Sequence, residues 1–158
     1  MSKNSLAIAF IWLCLAGFIV YLVDNIQRPN KVETLGNASE VVLKRGPDGH
    51  YRAEALINGE KVDVLVDTGA TGVAISQSIA DKLNLKSMDA IRTTTANGES
   101  VGYMVRLNSI KLGGIEANNV AAMIAPGLEG DVLLGMSFLG RMDVRLYKGK
   151  MTIKPVVE

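Results

Sequence analysis

Histidine and cysteine are nearly missing from this chain, which has one of each in 158 residues, His50 and Cys14. A single cysteine excludes an internal disulfide and leaves the redox compartment open. One His and one Cys far apart in sequence do not make a zinc site, so no metal is expected. A Ser or Cys nucleophile would need His50 as its base. That residue lies in "GPDGHYR", which reads as a solvated loop or the start of a strand. Excess charge is missing too. The formal net charge is +1, which gives no footprint for a nucleic-acid partner. There is no internal repeat and no low-complexity tract.

One long apolar run is present. Leu6 to Val23, "LAIAFIWLCLAGFIVYLV", is 18 residues without a charge. That is at the lower limit for crossing a hydrocarbon core of roughly 30 Å. Tyr21 sits near its end, where an interfacial aromatic belongs. A cleaved signal peptide is the rival reading. Against it, the run exceeds a usual signal h-region and no small-x-small site follows directly. Residues 1–23 are therefore read as an uncleaved membrane anchor. Lys3 precedes the span and Arg28 and Lys31 follow it, so basic residues do not fix its orientation. Residues 24–45 read as a polar linker with a first strand at 40–43, and residues 46–158 as the folded domain.

From Tyr51 onward the pattern is β. Tyr51, Ala53, Ala55 and Ile57 share one face of a strand, and Val62, Val64 and Val66 one face of the next. Asn58-Gly59 between them is a strong hairpin turn. "SQSIADKLNL" changes period and predicts a short helix, capped by Ser76 or Ser78, with Ile79, Leu83 and Leu85 on its apolar side. Asn97-Gly98, Gly113-Gly114 and Lys148-Gly149 mark further turns. "NVAAMIA" reads as a buried strand, and "DVLLGMSFLGRMDV" as a strand that breaks at Gly135. Many short strands, one short helix and no βαβ alternation predict an all-β, closed-barrel fold.

Asp67-Thr68-Gly69 follows directly on an alternating strand, in "VLVDTGAT". An isolated carboxylate at neutral pH is ionised and hydrated, and is a poor catalyst. Two carboxylates about 3 Å apart cannot both ionise, so they share a proton. One then serves as base toward water while the other donates to a substrate carbonyl, and an amide is hydrolysed without a covalent intermediate. A hydroxyl beside the acid can lock two such turns together, and a glycine after it permits unusual backbone and close substrate approach. No second D-[ST]-G exists in the chain. A dyad therefore requires two copies about a two-fold axis, so the single motif predicts a homodimer.

Four ordered elements together resemble the retropepsin-like aspartic proteases, and in particular their membrane-anchored, single-domain bacterial members. They are "VLVDTGAT", the helix "SIADKLNL", the hairpin "TTTANGESVGYM" in the place of the family's flap, and "DVLLGMSFL" in the place of its apolar-apolar-Gly strand and the helix after it. The resemblance spans about Tyr51 to Lys154. It implies a retropepsin-like barrel and an aspartic endopeptidase acting on protein or peptide substrates without metal or cofactor. It implies Asp67 as the catalytic acid and Thr68 as the cross-dimer lock. Gly69 and Ala70 would line the substrate channel, Thr95, Ala96, Asn97 and Gly98 would form the flap tip, and Leu133, Leu134 and Gly135 would pack beneath the catalytic turn. It also implies a single-pass protein of the inner membrane with its protease domain in a bacterial periplasm.

The chain departs from the viral pattern in three places. Thr71 and Gly72 follow the motif where viral enzymes carry acidic residues. The flap tip is Ala-Asn-Gly rather than glycine-rich. Met136 follows "LLG" in place of an arginine, and Arg141 or Arg145 are the candidates to substitute for it at an interface. Two other functions are open to the same residues. One is a tethered binding or dimerisation module without turnover. The other is a phosphate-binding "DTGATG" turn, which needs two large α/β domains that this chain is too short to hold.

Overall fold

The computed structural model describes residues 3–27, 30, 39–87, 89–95, 98–130 and 132–156. An apolar helix α1 (Lys3–Gln27) precedes ten strands and two short helices. The strands are β1 (Val41–Lys44), β2 (Tyr51–Ile57), β3 (Glu60–Val66), β4 (Val73–Ser76), β5 (Ala90–Thr95), β6 (Gly98–Leu112), β7 (Ile115–Ala125), β8 (Val132–Leu134), β9 (Met142–Tyr147) and β10 (Lys150–Pro155). The helices α2 (Gln77–Lys82) and α3 (Met136–Leu139) follow β4 and β8.

Six strands close into a barrel in the order β2-β3-β8-β4-β7-β6, and β6 returns to β2 through Leu56↔Lys111 and Ile57↔Ile110. The pairs β3–β8 and β4–β7 are parallel, and the other barrel pairs are antiparallel. The strand alternation seen in the sequence is the inside–outside alternation of this barrel. Ala53, Ala55 and Ile57 of β2 and Val62, Val64 and Val66 of β3 are buried, as period-two pleating requires. The β2–β3 turn has Asn58 at φ 51° and Gly59 at φ 87°, the doubly left-handed pair that matches the twist of its strands. Leu107, Ile110, Val120, Ile124, Leu134 and Phe138 complete the interior.

A second sheet, ordered β1-β10-β9, contributes Val41, Leu43, Met151 and Ile153 to the same core. β5 extends from the barrel as a hairpin arm on β6. Local detail differs from the sequence reading in three ways. β7 is longer than "NVAAMIA" and begins right after Gly113-Gly114, because its first residues pair along β6 from Leu112↔Ile115 onward. Ser76 caps α2, its hydroxyl accepting from the Ile79 N–H at 3.4 Å, while Ser78 only hydrogen-bonds to Ser76. The residue pattern predicted one short helix, and a second, α3, starts after Gly135, where the resemblance implied one.

The segment read as a linker carries structure at three described places. α1 extends to Gln27, Asn30 is 3% exposed, and β1 occupies Val41–Lys44. α1 is exposed from Leu6 to Val23, and Leu6–Ile26 is long and apolar enough to cross a membrane; a signal sequence has the same properties.

Candidate active site

β3 delivers the D-T-G turn. One face of the strand is buried up to Val66, and the next residue, Asp67, is half-buried at the barrel edge. Its N–H donates to the Leu134 carbonyl at 3.0 Å, which continues the parallel β3–β8 ladder one step beyond Val66↔Leu134. The Asp67 carboxylate accepts the Gly69 N–H at 2.8 Å through Oδ1, and this bond sets the direction of the side chain. The Ala70 N–H donates to the Asp67 carbonyl at 3.4 Å, closing the turn. Thr68 and Gly69 are exposed and Ala70 is half-buried. Thr68, next to the acid, therefore lies outside the barrel core.

The turn is clamped from beneath by the end of β8. The Met136 N–H donates to the Ala70 carbonyl at 2.9 Å. Gly135 lies so close to the turn that a Cβ there would stand 2.6 Å from the Ala70 oxygen and would overlap the Gly72 carbonyl. Only a residue without a side chain lets β8 approach in this way. Leu134 and Gly135 thus meet the turn, while Leu133 is paired with Leu65 and Ala74.

Ser137 is a contributor that sequence reasoning missed. Its hydroxyl accepts the Val73 N–H at 2.9 Å and donates to the Ala121 carbonyl at 2.8 Å. It ties the chain leaving the motif to β7, just ahead of the Val73↔Ala122 pair. The available signal was a hydroxyl two residues after a glycine that ends a strand, which is too common to single out.

The candidate flap is a hairpin of β5 and β6, paired from Ala90↔Tyr103 to Thr95↔Gly98. Gly98 has φ 105°. Ala96 and Asn97 lie outside the described residues. Arg141, one candidate interface residue, donates to the Asn118 and Asn119 carbonyls at 2.8 and 3.3 Å. Arg145, the other, pairs with Asp143 at 2.9 Å. His50 is exposed at the start of β2. Among the described residues no three His, Cys, Asp or Glu side chains are grouped to hold a metal ion.

A closed barrel, a D-T-G turn at a strand end and a glycine-ended strand packed beneath it define a retropepsin-like aspartic protease. Residues 53–141, more than half of the chain, match the family described as "gag-polyprotein putative aspartyl protease", and the chain belongs to that family. The structure is similar to a retropepsin-like aspartic protease from Rickettsia conorii, with 32% identity and a TM-score of 0.62, over 72% of this chain and 97% of that one. It shares its fold with EIAV protease complexed with the inhibitor HBY-793, at 19% identity and a TM-score of 0.51, over 60% of this chain and 88% of that one. In sequence it is similar to an uncharacterized protein in the cobV 5′ region of Sinorhizobium sp, 35% identical over 109 residues. It is also similar to the uncharacterized protein RP867 of Rickettsia prowazekii (strain Madrid E), 37% identical over 105 residues. These matches take in 66% and 65% of this chain, and 47% and 45% of the two relatives, about half the length of each.

Proposed function

We propose that the protein is a membrane-anchored aspartic endopeptidase whose catalytic dyad is Asp67 of one copy and Asp67 of a second. The observation that carries the reading is the Asp67-Thr68-Gly69 turn at the end of β3, held by Leu134 and Met136 in a chain of this family. One copy supplies one such acid, and the motif has no repeat. A two-fold axis through the exposed face of the turn would bring the two carboxylates together, with Thr68 bonding across the axis.

In the dimer the two carboxyls share one proton. The ionised Asp67 takes a proton from a water, whose oxygen attacks the scissile carbonyl carbon. The protonated Asp67 of the other copy gives its proton to the carbonyl oxygen. Collapse of the resulting diol breaks the C–N bond, and the amine leaves with a proton returned through the dyad. An extended peptide would lie across Gly69 and Ala70 and beneath the hairpin tips, Thr95 to Gly98, gaining main-chain hydrogen bonds. No metal or cofactor takes part.

The same reading takes residues 1–23 as the anchor, 24–45 as the connection and 46–158 as the protease domain. It places the protein in the inner membrane with the domain in the periplasm. The apolar Leu6–Ile26 stretch of α1, none of it buried, supports a membrane span. The test is cleavage of an unstructured protein substrate by the detergent-solubilised full chain beside its Asp67→Ala variant. Cleavage by the first alone is expected; equal cleavage by both, or by neither dimer, would overturn the reading.

A further inference from the structure

The chain is held against the folded domain three residues beyond α1 by one buried side chain, and the contact lies beside a basic surface. Asn30 follows the last residue of α1, Gln27, by three positions. It is 3% exposed, unusual for an asparagine outside regular structure. Its amide nitrogen donates to the Lys44 carbonyl at 3.0 Å and to the Arg52 carbonyl at 2.8 Å. Its amide oxygen accepts the Lys44 N–H at 2.9 Å, and its own carbonyl accepts the Glu54 N–H at 3.0 Å. Asn30 therefore bridges the end of β1 to β2. Three residues of chain reach at most about 10 Å, so the end of the apolar helix lies within that distance of Asn30.

The corner carries positive charge. Lys44 and Lys150 are direct cross-strand partners, and Lys150 is in turn opposite Tyr147. All three are exposed, and Tyr147 is 71% exposed. Arg45 donates its N–H to Gly149, which places it at the same end of the sheet. Lys148 at the turn lies 5.3 Å from the Tyr147 ring centroid. Like charges directly opposite on two strands destabilise a sheet. Among the described residues none of these four cations pairs with a carboxylate, and the nearby Asp48 is taken by Arg52 at 3.0 Å. Folding alone does not account for such a row, and an anionic surface outside the molecule would.

We propose that this corner, Lys44, Arg45, Tyr147, Lys148 and Lys150, docks on anionic lipid headgroups and so fixes how the domain sits on the membrane. The inference rests on the reading of α1 as a membrane span. Asn30 lies within about 10 Å of the helix end and bonds directly to Lys44, which draws this corner toward the membrane surface, where the headgroup potential acts over a Debye length of about 8 Å at physiological ionic strength. An exposed tyrosine amid lysines has the amphipathic chemistry of the lipid–water boundary. A second copy of the chain is a poorer occupant, because a two-fold contact here would set the same cations against themselves.

The test uses the full chain reconstituted in phosphatidylcholine vesicles and in vesicles that also contain phosphatidylglycerol. Lysine acetylation is read by mass spectrometry, with exposed Lys86 as the internal control. Labelling of Lys44, Lys148 and Lys150 should fall in the anionic vesicles relative to Lys86 and recover at high salt. In a Lys148→Glu/Lys150→Glu variant, Lys44 labelling should return to the neutral-vesicle level. Labelling that is equal in the two vesicles overturns the docking surface and leaves the span intact. Shielding that is equal and strong in both assigns the face to a second protein copy and also overturns it. Release of the chain by alkaline carbonate overturns the span, and the docking surface with it.

Discussion

Asp67 is half-buried and accepts one backbone N–H through its carboxylate, so its contribution to folding is small beside its proposed chemical role. Asp67→Asn keeps an oxygen for the Gly69 N–H and removes the proton chemistry. Peptide cleavage should fall by about 10⁴-fold or more, the scale seen when a member of a catalytic unit is removed. Thermal denaturation should show a change of no more than about 1 kcal/mol. Gly135 is the opposite case. It carries no chemistry, yet an added methyl would meet backbone on two sides, at Ala70 and Gly72. Backbone cannot rotate aside as a side chain does, so Gly135→Ala should cost about 3 kcal/mol in a urea titration. Activity should fall with it, because the displaced segment carries the catalytic turn. Ser137→Ala leaves the Val73 N–H and the Ala121 carbonyl without their shared partner. It should destabilise by about 1–3 kcal/mol in the same titration.

At the scale of elements, the strands and turns were legible because each is specified locally. β2 and β3 alternate, and Asn58-Gly59 has the chemistry of the turn it makes. The D-T-G turn and the "LLG" strand were legible as separate pieces. Their contact depends on the parallel β3–β8 pairing, which joins residues far apart in sequence. Barrel closure through Leu56↔Lys111 is invisible for the same reason. The choice of Ser76 over Ser78 as the cap was settled by tertiary structure, since Ser76 is buried and also donates to the Gly130 carbonyl at 3.2 Å. Asn30 sat in a polar stretch with no periodicity, and only the fold reveals its partners, 14 and 22 residues away. Asn30→Ala should lower the stability of the full chain by about 1–3 kcal/mol, because the Lys44 N–H loses its acceptor; calorimetry of the detergent-solubilised protein checks this.

At the scale of the whole molecule, the proposed chemistry favours mildly acidic pH, where two surface ion pairs stay formed. Asp48 is held below its ordinary 3.8 by the His50 N–H and then by Arg52, and Asp143 below the same value by Arg145. A carboxylate with a lowered folded pKa stabilises the fold above its unfolded value and loses that contribution as pH falls through the folded one. These contacts therefore stay intact down to about pH 4 and weaken only below it. Denaturation midpoints followed against pH should show no loss from them in the mildly acidic range where a shared-proton dyad works. The membrane bears on assembly as well. If α1 spans the membrane as proposed, confining two copies raises their effective concentration, and a weak domain contact would then suffice for the proposed dimer.

The central claim is that one active site takes one Asp67 from each of two copies. Full-length wild type and Asp67→Asn are mixed in detergent in varying proportion at constant total protein, allowed to exchange subunits, and assayed for peptide cleavage. If each site needs both acids, activity follows the square of the wild-type fraction and an equal mixture retains about a quarter of full activity. Activity that falls in direct proportion to the wild-type fraction would mean that a single copy carries a complete site, and would contradict the dyad.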